Sequence, residues 1–216
     1  MSHLKRHAVP KSWPIRRKGT AFVVGSNLGS SDSLPVLIIL RDVLKVAQNR
    51  KEAKKMIHMK SVLLNGKQIR DEKDGVLLFD VITLVPSKKN YRLTMLKNEK
   101  FGMEEIKESE ADTKIAKIIN KKVLKGKKIQ LNLSDGRNFL SSIKCRVNDS
   151  VLINLKGKKI EKCLPLEEKS EVIVFAGKHS GQKGKITEIK SEGKIVEITN
   201  KEGKINALIK QVMAIN

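Results

Sequence analysis

The sequence predicts an α+β multi-domain protein that begins with an extended basic arm. Three observations carry this. Apolar residues recur at helical spacing between residues 34 and 59. Beyond them, short β-branched strands follow one another at intervals of roughly 8–12 residues, the rhythm of small β-domains. Residues 1–18 hold Lys5, Arg6, Lys11, Arg16, Arg17 and Lys18, no acid, and two prolines that break any helix.

The arm also carries the only tryptophan, Trp13. It has no helical or strand period, and a basic segment of this kind orders when its charges meet phosphates. A Gly/Ser linker follows at residues 25–33. Asp32 or Ser33 is then expected to cap a helix from about Leu34 to Ala47, with Pro35 in its first turn. Leu37, Leu40, Val43, Leu44 and Ala47 would form its buried face. A second helix is expected at about Arg50 to Met59, with Ala53, Met56 and Ile57 inward. Arg50, Lys54 and His58 fall four apart on one stripe, beside Lys51 and Lys55. Like charges at that spacing are unfavourable in isolation, so something external is expected to offset them.

Asn65-Gly66 between apolar runs predicts a hairpin, and Asp74-Gly75 a second turn. Val81 to Val85 and Tyr91 to Leu96 read as strands. Residues 104–112 form the one acidic patch, read as a solvated face or a screen for the lysines that follow. Residues 114–128 carry seven lysines and no acid; Ile115, Ile118 and Ile119 interleave at helical spacing. Strands are expected near 128–133, 137–147 and 151–155, with turns at Asp135-Gly136 and Lys156-Gly157-Lys158. The last segment reads as five strands: 172–175, 185–190, 195–199, 204–209 and 212–215. A glycine-rich basic loop at 176–184 joins the first two.

Composition narrows the function. Of 216 residues, 45 are Lys or Arg and 23 Asp or Glu, a formal charge of +22. Self-repulsion of that size disfavours a compact state and points to a polyanionic partner. Two cysteines exclude a disulfide scaffold, and Cys145 and Cys163 read as small core residues. No apolar run approaches the about 20 residues of a membrane span, and no secretory signal is read at the start. The expectation is a cytoplasmic protein with reduced thiols. No catalytic constellation, cofactor motif or metal-ligand spacing stands out, so no enzyme, no cofactor and no metal are expected. The loop at 177–184 lacks P-loop spacing. Its glycines either present backbone amides to phosphate or merely permit a tight turn.

The arm His3-Leu4-Lys5-Arg6, then Ala8-Val9-Pro10-Lys11-Ser12-Trp13, then Arg16-Arg17, resembles the start of the small-subunit ribosomal protein S-four-e family of archaea and eukaryotes. Three later blocks are similar to the same family in the same order. These are Leu34 to Lys45, Leu64-Asn65-Gly66-Lys67 through Ile82, and Val147 to Ser150 with Gly177 to Ile186. Ala176 departs from the glycine common at that loop position.

The resemblance implies four parts. Residues 1–33 are the basic extension and linker. Residues 34–85 are a small helix-helix-hairpin RNA-binding domain of alpha-L type. Residues 86–168 are a central β-rich domain, and residues 169–216 an SH3-like KOW β-barrel. It also implies a structural constituent of the small ribosomal subunit, with small-subunit rRNA and neighbouring ribosomal proteins as partners. A KOW-containing transcription, elongation or ribosome-assembly factor is the rival reading.

The rRNA-binding residues expected on this basis lie in three groups. Lys5, Arg6, Trp13, Arg16, Arg17 and Lys18 are in the arm. Arg50, Lys51, Lys54, Lys55, Lys60, Lys67 and Arg70 form the basic face of the second domain. Lys178, His179 and Lys183 mark the C-terminal loop. Trp13 either stacks on a base or packs on the protein itself, and His58 either meets RNA or packs in the core. Domains this small bury only about 60% of their unfolded surface. The isolated protein is therefore expected to be marginally stable, with its first 30 residues mobile.

Overall fold

The computed structural model describes residues 3–141, 143–190, 194–200 and 203–215. The chain forms two compact units, Met1–Met95 with Glu99–Asp112, and Leu96–Asn98 with Thr113–Asn216.

In the first unit the arm is docked, against expectation. Leu4–Lys5 pairs antiparallel with Phe22–Val23. Trp13 is 1% exposed and lies in the core with Leu34, Val36, Leu37 and Ile38. Its indole N–H donates to the Ser30 carbonyl at 3.0 Å, and Phe101 N–H donates to the Ser12 carbonyl at 2.8 Å. Seven aromatic residues leave few large apolar side chains, so burial of Trp13 outweighs any gain from exposing it. It packs on the protein and is not a base-stacking residue.

The helix expected from Leu34 to Ala47 is shorter and starts later. Ser33–Pro35 is a strand paired with Gly75–Leu77. Ser33 caps nothing; its hydroxyl lies 2.5 Å from that of Ser26. The first helical amides are met from another segment instead: Val36 N–H by the Asp74 carbonyl and Leu37 N–H by the Glu72 carbonyl. One α-turn, Val36–Ile38, runs into a π-turn, Ile39–Val43, and the chain leaves the helix at Lys45 with φ 54°. The expected apolar face is still buried at Leu37, Leu40 and Ala47.

The second helix, Arg50–His58, forms as expected, with Ala53 and Ile57 buried. A five-stranded antiparallel sheet follows, in the order Lys67–Gln68, Val62–Leu64, Val81–Leu84, Lys89–Met95, Phe101–Ile106. Asn65 and Gly66 both take positive φ, 50° and 74°, as the tight hairpin turn requires. The strand Phe101–Ile106 is additional to the expected ones, its alternation masked by glutamates; Phe101 is buried while Glu104 and Glu105 are exposed. The position after Val85 lies within the hairpin that joins Val81–Leu84 to Lys89–Met95.

In the second unit residues 113–123 form a strand, although Ile115, Ile118 and Ile119 stand at helical spacing. Thr, Ile and Val suit a pleated surface better than a helix. A register shift between Ile118 and Asn120 leaves Ile119 exposed, and this break in the alternation imitates a helical period. The central sheet has the order Asn138–Leu140, Ile129–Leu133, Thr113–Val123, Ser150–Asn154, Lys159–Leu164. The strand expected over 137–147 shrinks to three residues, and Lys159–Leu164 is additional. Cys145 is buried in this core and Cys163 partly so, as free thiols; burial pushes the Cys163 thiol up to about 12. The C-terminal sheet is antiparallel, in the order Gly203–Leu208, Ile195–Asn200, Lys183–Lys190, Glu171–Val174, Val212–Ala214. These are the five strands read from the sequence.

Lys117 ties the central sheet to the C-terminal sheet. It is 4% exposed, and its ammonium donates to the Ile209 carbonyl and, at 2.7 Å, to that of Val212. It also sits 5.9 Å from the centre of the Phe175 ring. Burial lowers its pKa from 10.5 to about 8.

Two outcomes follow. Trp13→Ala should destabilise the chain by about 3–5 kcal/mol in urea unfolding followed by circular dichroism; a loss near zero would mean the arm is not part of the core. For Lys117 the folded state binds fewer protons than the unfolded chain between pH 8 and 10.5. Stability contributed at this position therefore rises with pH across that window. The urea midpoint of the wild type should gain on that of Lys117→Met as pH rises from 8 toward 10.5, and a constant difference would exclude the shift.

Candidate nucleic-acid interface

The basic helix is set by its own ends. Asn49 accepts from Glu52 N–H at 3.0 Å, and Glu52 accepts in turn from Gln48 N–H at 2.7 Å, a reciprocal cap. With Ala53 and Ile57 inward, Lys51, Lys54, Lys55 and His58 are exposed, as is Lys60 just beyond. His58 is thus a surface residue and not a core one.

Glu72 holds the near end of this stripe. Its side chain is about 1% exposed, and both its oxygens lie 2.9 Å from Arg50 Nε. Lys54 Nζ approaches to 3.6 Å. The Arg50 hydrogen bond holds the Glu72 carboxyl below the usual carboxylate range, although burial opposes this, and the same bond raises Arg50. The repulsion along the stripe, expected to be offset from outside, is thus offset for Arg50 and Lys54 by the chain's own carboxylate. The Arg50 side chain is still 54% exposed, so part of its guanidinium faces solvent. Glu72 could have been found from the sequence as one of two acids set among the three bases of residues 67–73. Lys67 and Arg70 lie exposed beyond the hairpin turn.

In the arm Lys5, Arg16, Arg17 and Lys18 are exposed. Arg6 is engaged: Nε donates to the Thr20 carbonyl at 2.7 Å, Nη1 to the Arg16 carbonyl at 2.7 Å and Nη2 to Thr20 Oγ1 at 2.8 Å. It clasps residues 16–20 into a fold-back, so its first role is to shape the arm. The result is an open groove lined by Lys5, Arg6, His7, Arg17, Lys18 and Phe22 among others.

In the C-terminal loop Lys178 and Lys183 are exposed and His179 half-buried. Three amides of the loop are already used, Ser180 to Gly177 and Gln182 to His179 within it and Gly181 to Val174 at the end of the preceding strand. They are not available to cradle a phosphate. Gly181 is required sterically, because a Cβ there would lie 1.9 Å from the Leu96 carbonyl oxygen. The loop therefore presents cationic side chains on a tight turn. Among the described residues no group of three or more His, Cys, Asp or Glu is placed to hold a metal, and no helix is long and apolar enough to cross a membrane.

Glu72→Gln should cost about 1.5–3 kcal/mol at neutral pH, the usual range for a hydrogen bond to a charged group. The stabilisation by Glu72 is complete above its unfolded value of 4.5 and is lost as pH falls through its lower folded value. Acid unfolding of the wild type should therefore show a slope that Glu72→Gln lacks.

The profile of Ribosomal family S4e matches residues 87–160. The small ribosomal subunit protein eS4 of Methanocella arvoryzae is 38% identical over 221 residues, covering 99% of this chain and 94% of that protein. That of Methanocaldococcus jannaschii is 38% identical, covering 93% and 88%. The crystal structure of the 30S ribosomal protein S4e from Thermoplasma acidophilum superposes with a TM-score of 0.75 at 26% identity, covering 86% of this chain and 96% of that one. On identity and coverage together, the chain belongs to ribosomal family S4e.

Proposed function

We propose that the chain is a structural constituent of the small ribosomal subunit that binds small-subunit rRNA and neighbouring proteins. The observation that carries this is the 38% identity to a small-subunit protein across nearly the full length of both chains. Charge and exposure support it. Phosphate neutralisation by Lys and Arg supplies most of such affinity, and A-form RNA is recognised largely by shape.

The finer reading has three parts. Residues 34–85 act as the alpha-L type RNA-binding domain; the basic helix followed by the Asn65-Gly66 hairpin supports this. Residues 86–168 are the central β-rich domain. Residues 169–216 act as a KOW barrel; five antiparallel strands and a basic loop after the first support it. Lys51, Lys55, Lys60, Lys67 and Arg70 contact phosphates, with Arg50 and Lys54 beside them held in place by Glu72. Lys5, Arg16, Arg17 and Lys18 contribute from the arm, shaped by Arg6, and Lys178, His179 and Lys183 from the C-terminal loop. No step of chemical catalysis is assigned to any of them.

In a sucrose gradient of native lysate the protein should co-sediment with small subunits and stay there as salt rises; a free or easily stripped protein would refute the reading. For purified protein and an rRNA transcript, Lys51→Ala with Lys55→Ala should weaken binding and reduce the log–log salt slope by about 0.7–0.9 per lost phosphate contact. An unchanged slope would remove the helix from the interface.

A further inference from the structure

The central sheet carries a face that the three basic groups leave out. Asn120 is the direct cross-strand partner of Asn132, and Asn132 that of Asn138. The next row on the same three strands is Lys122, Gln130 and Leu140. Side chains alternate between faces, so both rows share one face. The opposite face turns Leu131, Leu133 and Phe139 into the core. The outer face lies in solvent: Asn120, Lys122, Asn138 and Leu140 are exposed, and Gln130 and Asn132 are half-buried. Gln130 Nε2 donates to Asn132 Oδ1 at 2.9 Å, which orients both amides. Two strand spacings make the asparagine row about 10 Å long.

The surrounding charge selects an occupant. Residues 113–148 include ten Lys or Arg and a single acid, Asp135. Its carboxylate is 4% exposed, 3.2 Å from Lys114 Nζ and 3.5 Å from Arg137 Nε. The segment thus turns no carboxylate to solvent, and a polyanion fits it. Amide side chains each donate and accept. An acidic protein surface offers mainly acceptors, whereas the shallow minor groove of A-form RNA displays 2′-hydroxyls, which do both, beside base edges. Neither row holds an aromatic residue, and Phe139 is turned inward, so the face has no platform for stacking unpaired bases.

We infer that this outer face binds the minor groove of helical RNA, the amide row meeting 2′-hydroxyls and base edges while Lys122 meets a phosphate. The inference rests on the reading of the chain as an rRNA-binding protein. Its amide row adds a contact of a different kind, one that distinguishes RNA from DNA and depends little on salt.

The test uses the full chain, a small-subunit rRNA transcript, and competitor RNA and DNA duplexes of one sequence. Asn120→Ala with Asn138→Ala should weaken transcript binding about tenfold, with an unchanged salt slope and a reduced preference for the RNA competitor. Lys122→Ala should instead lower the salt slope by up to about 0.9. Unfolding midpoints equal to the wild type show that the variants fold. If the asparagine pair leaves affinity and RNA preference unchanged while Lys51→Ala with Lys55→Ala weakens binding, the face is not an RNA contact and the rRNA reading stands. If the wild type itself fails to bind the transcript, both fall.

Discussion

Glu72 stands where the first helix, the basic helix and the loop between two strand pairs meet. Its backbone carbonyl takes the Leu37 amide, and its side chain takes Arg50 and Lys54. Other buried acids also hold separate parts of the chain together, one with cations and two with neutral donors. Asp80 accepts from Asn65 Nδ2 and from Leu77 N–H. Asp135 meets Lys114, and Asp149 accepts from Arg146 N–H and Leu166 N–H. With about half as many acids as bases, the fold places several carboxylates inside, where low dielectric strengthens each contact. Most of the cations are left outside, Lys114 and Lys117 being buried exceptions. A buried acid neutralises nearby self-repulsion and still leaves the outward surface positive.

Much of the architecture was legible because its signals are local. Asn65-Gly66 encodes its own turn, the basic helix carries both its cap and its apolar positions, and the five C-terminal strands alternate cleanly. The failures share a different cause. The start of the helix after Ser33 is decided by pairing with Gly75–Leu77 and by carbonyls of residues 72 and 74, far along the chain. The strand Thr113–Val123 hides its alternation behind a bulge and behind two lysines buried for reasons of partner, Lys114 and Lys117. Trp13 sits among arm residues of polar character, and nothing nearby in sequence announces its burial.

The candidate site was legible as composition and less so as geometry. Lysines at 51, 55, 60, 67, 178 and 183 are exposed as their surroundings suggested. Arg6 and Arg50 are committed to partners twenty or so residues away or nearer, and those partners are neutral carbonyls, a hydroxyl and one carboxylate that no charge count singles out. The amide row of the central sheet was invisible for a related reason. Its three asparagines come from three strands, and only the register brings them into line.

The fold-back of the arm has a thermodynamic consequence. Segments that order only on meeting RNA lose backbone entropy at that moment, and their association carries the heat-capacity signature of folding. Here Trp13 is already in the core and Arg6 already grips residues 16–20. On the proposed reading, binding through Lys5, Arg16, Arg17 and Lys18 would then resemble docking of a rigid body. Its temperature dependence should be shallow, and its association rate set by electrostatic steering instead of a search through conformations.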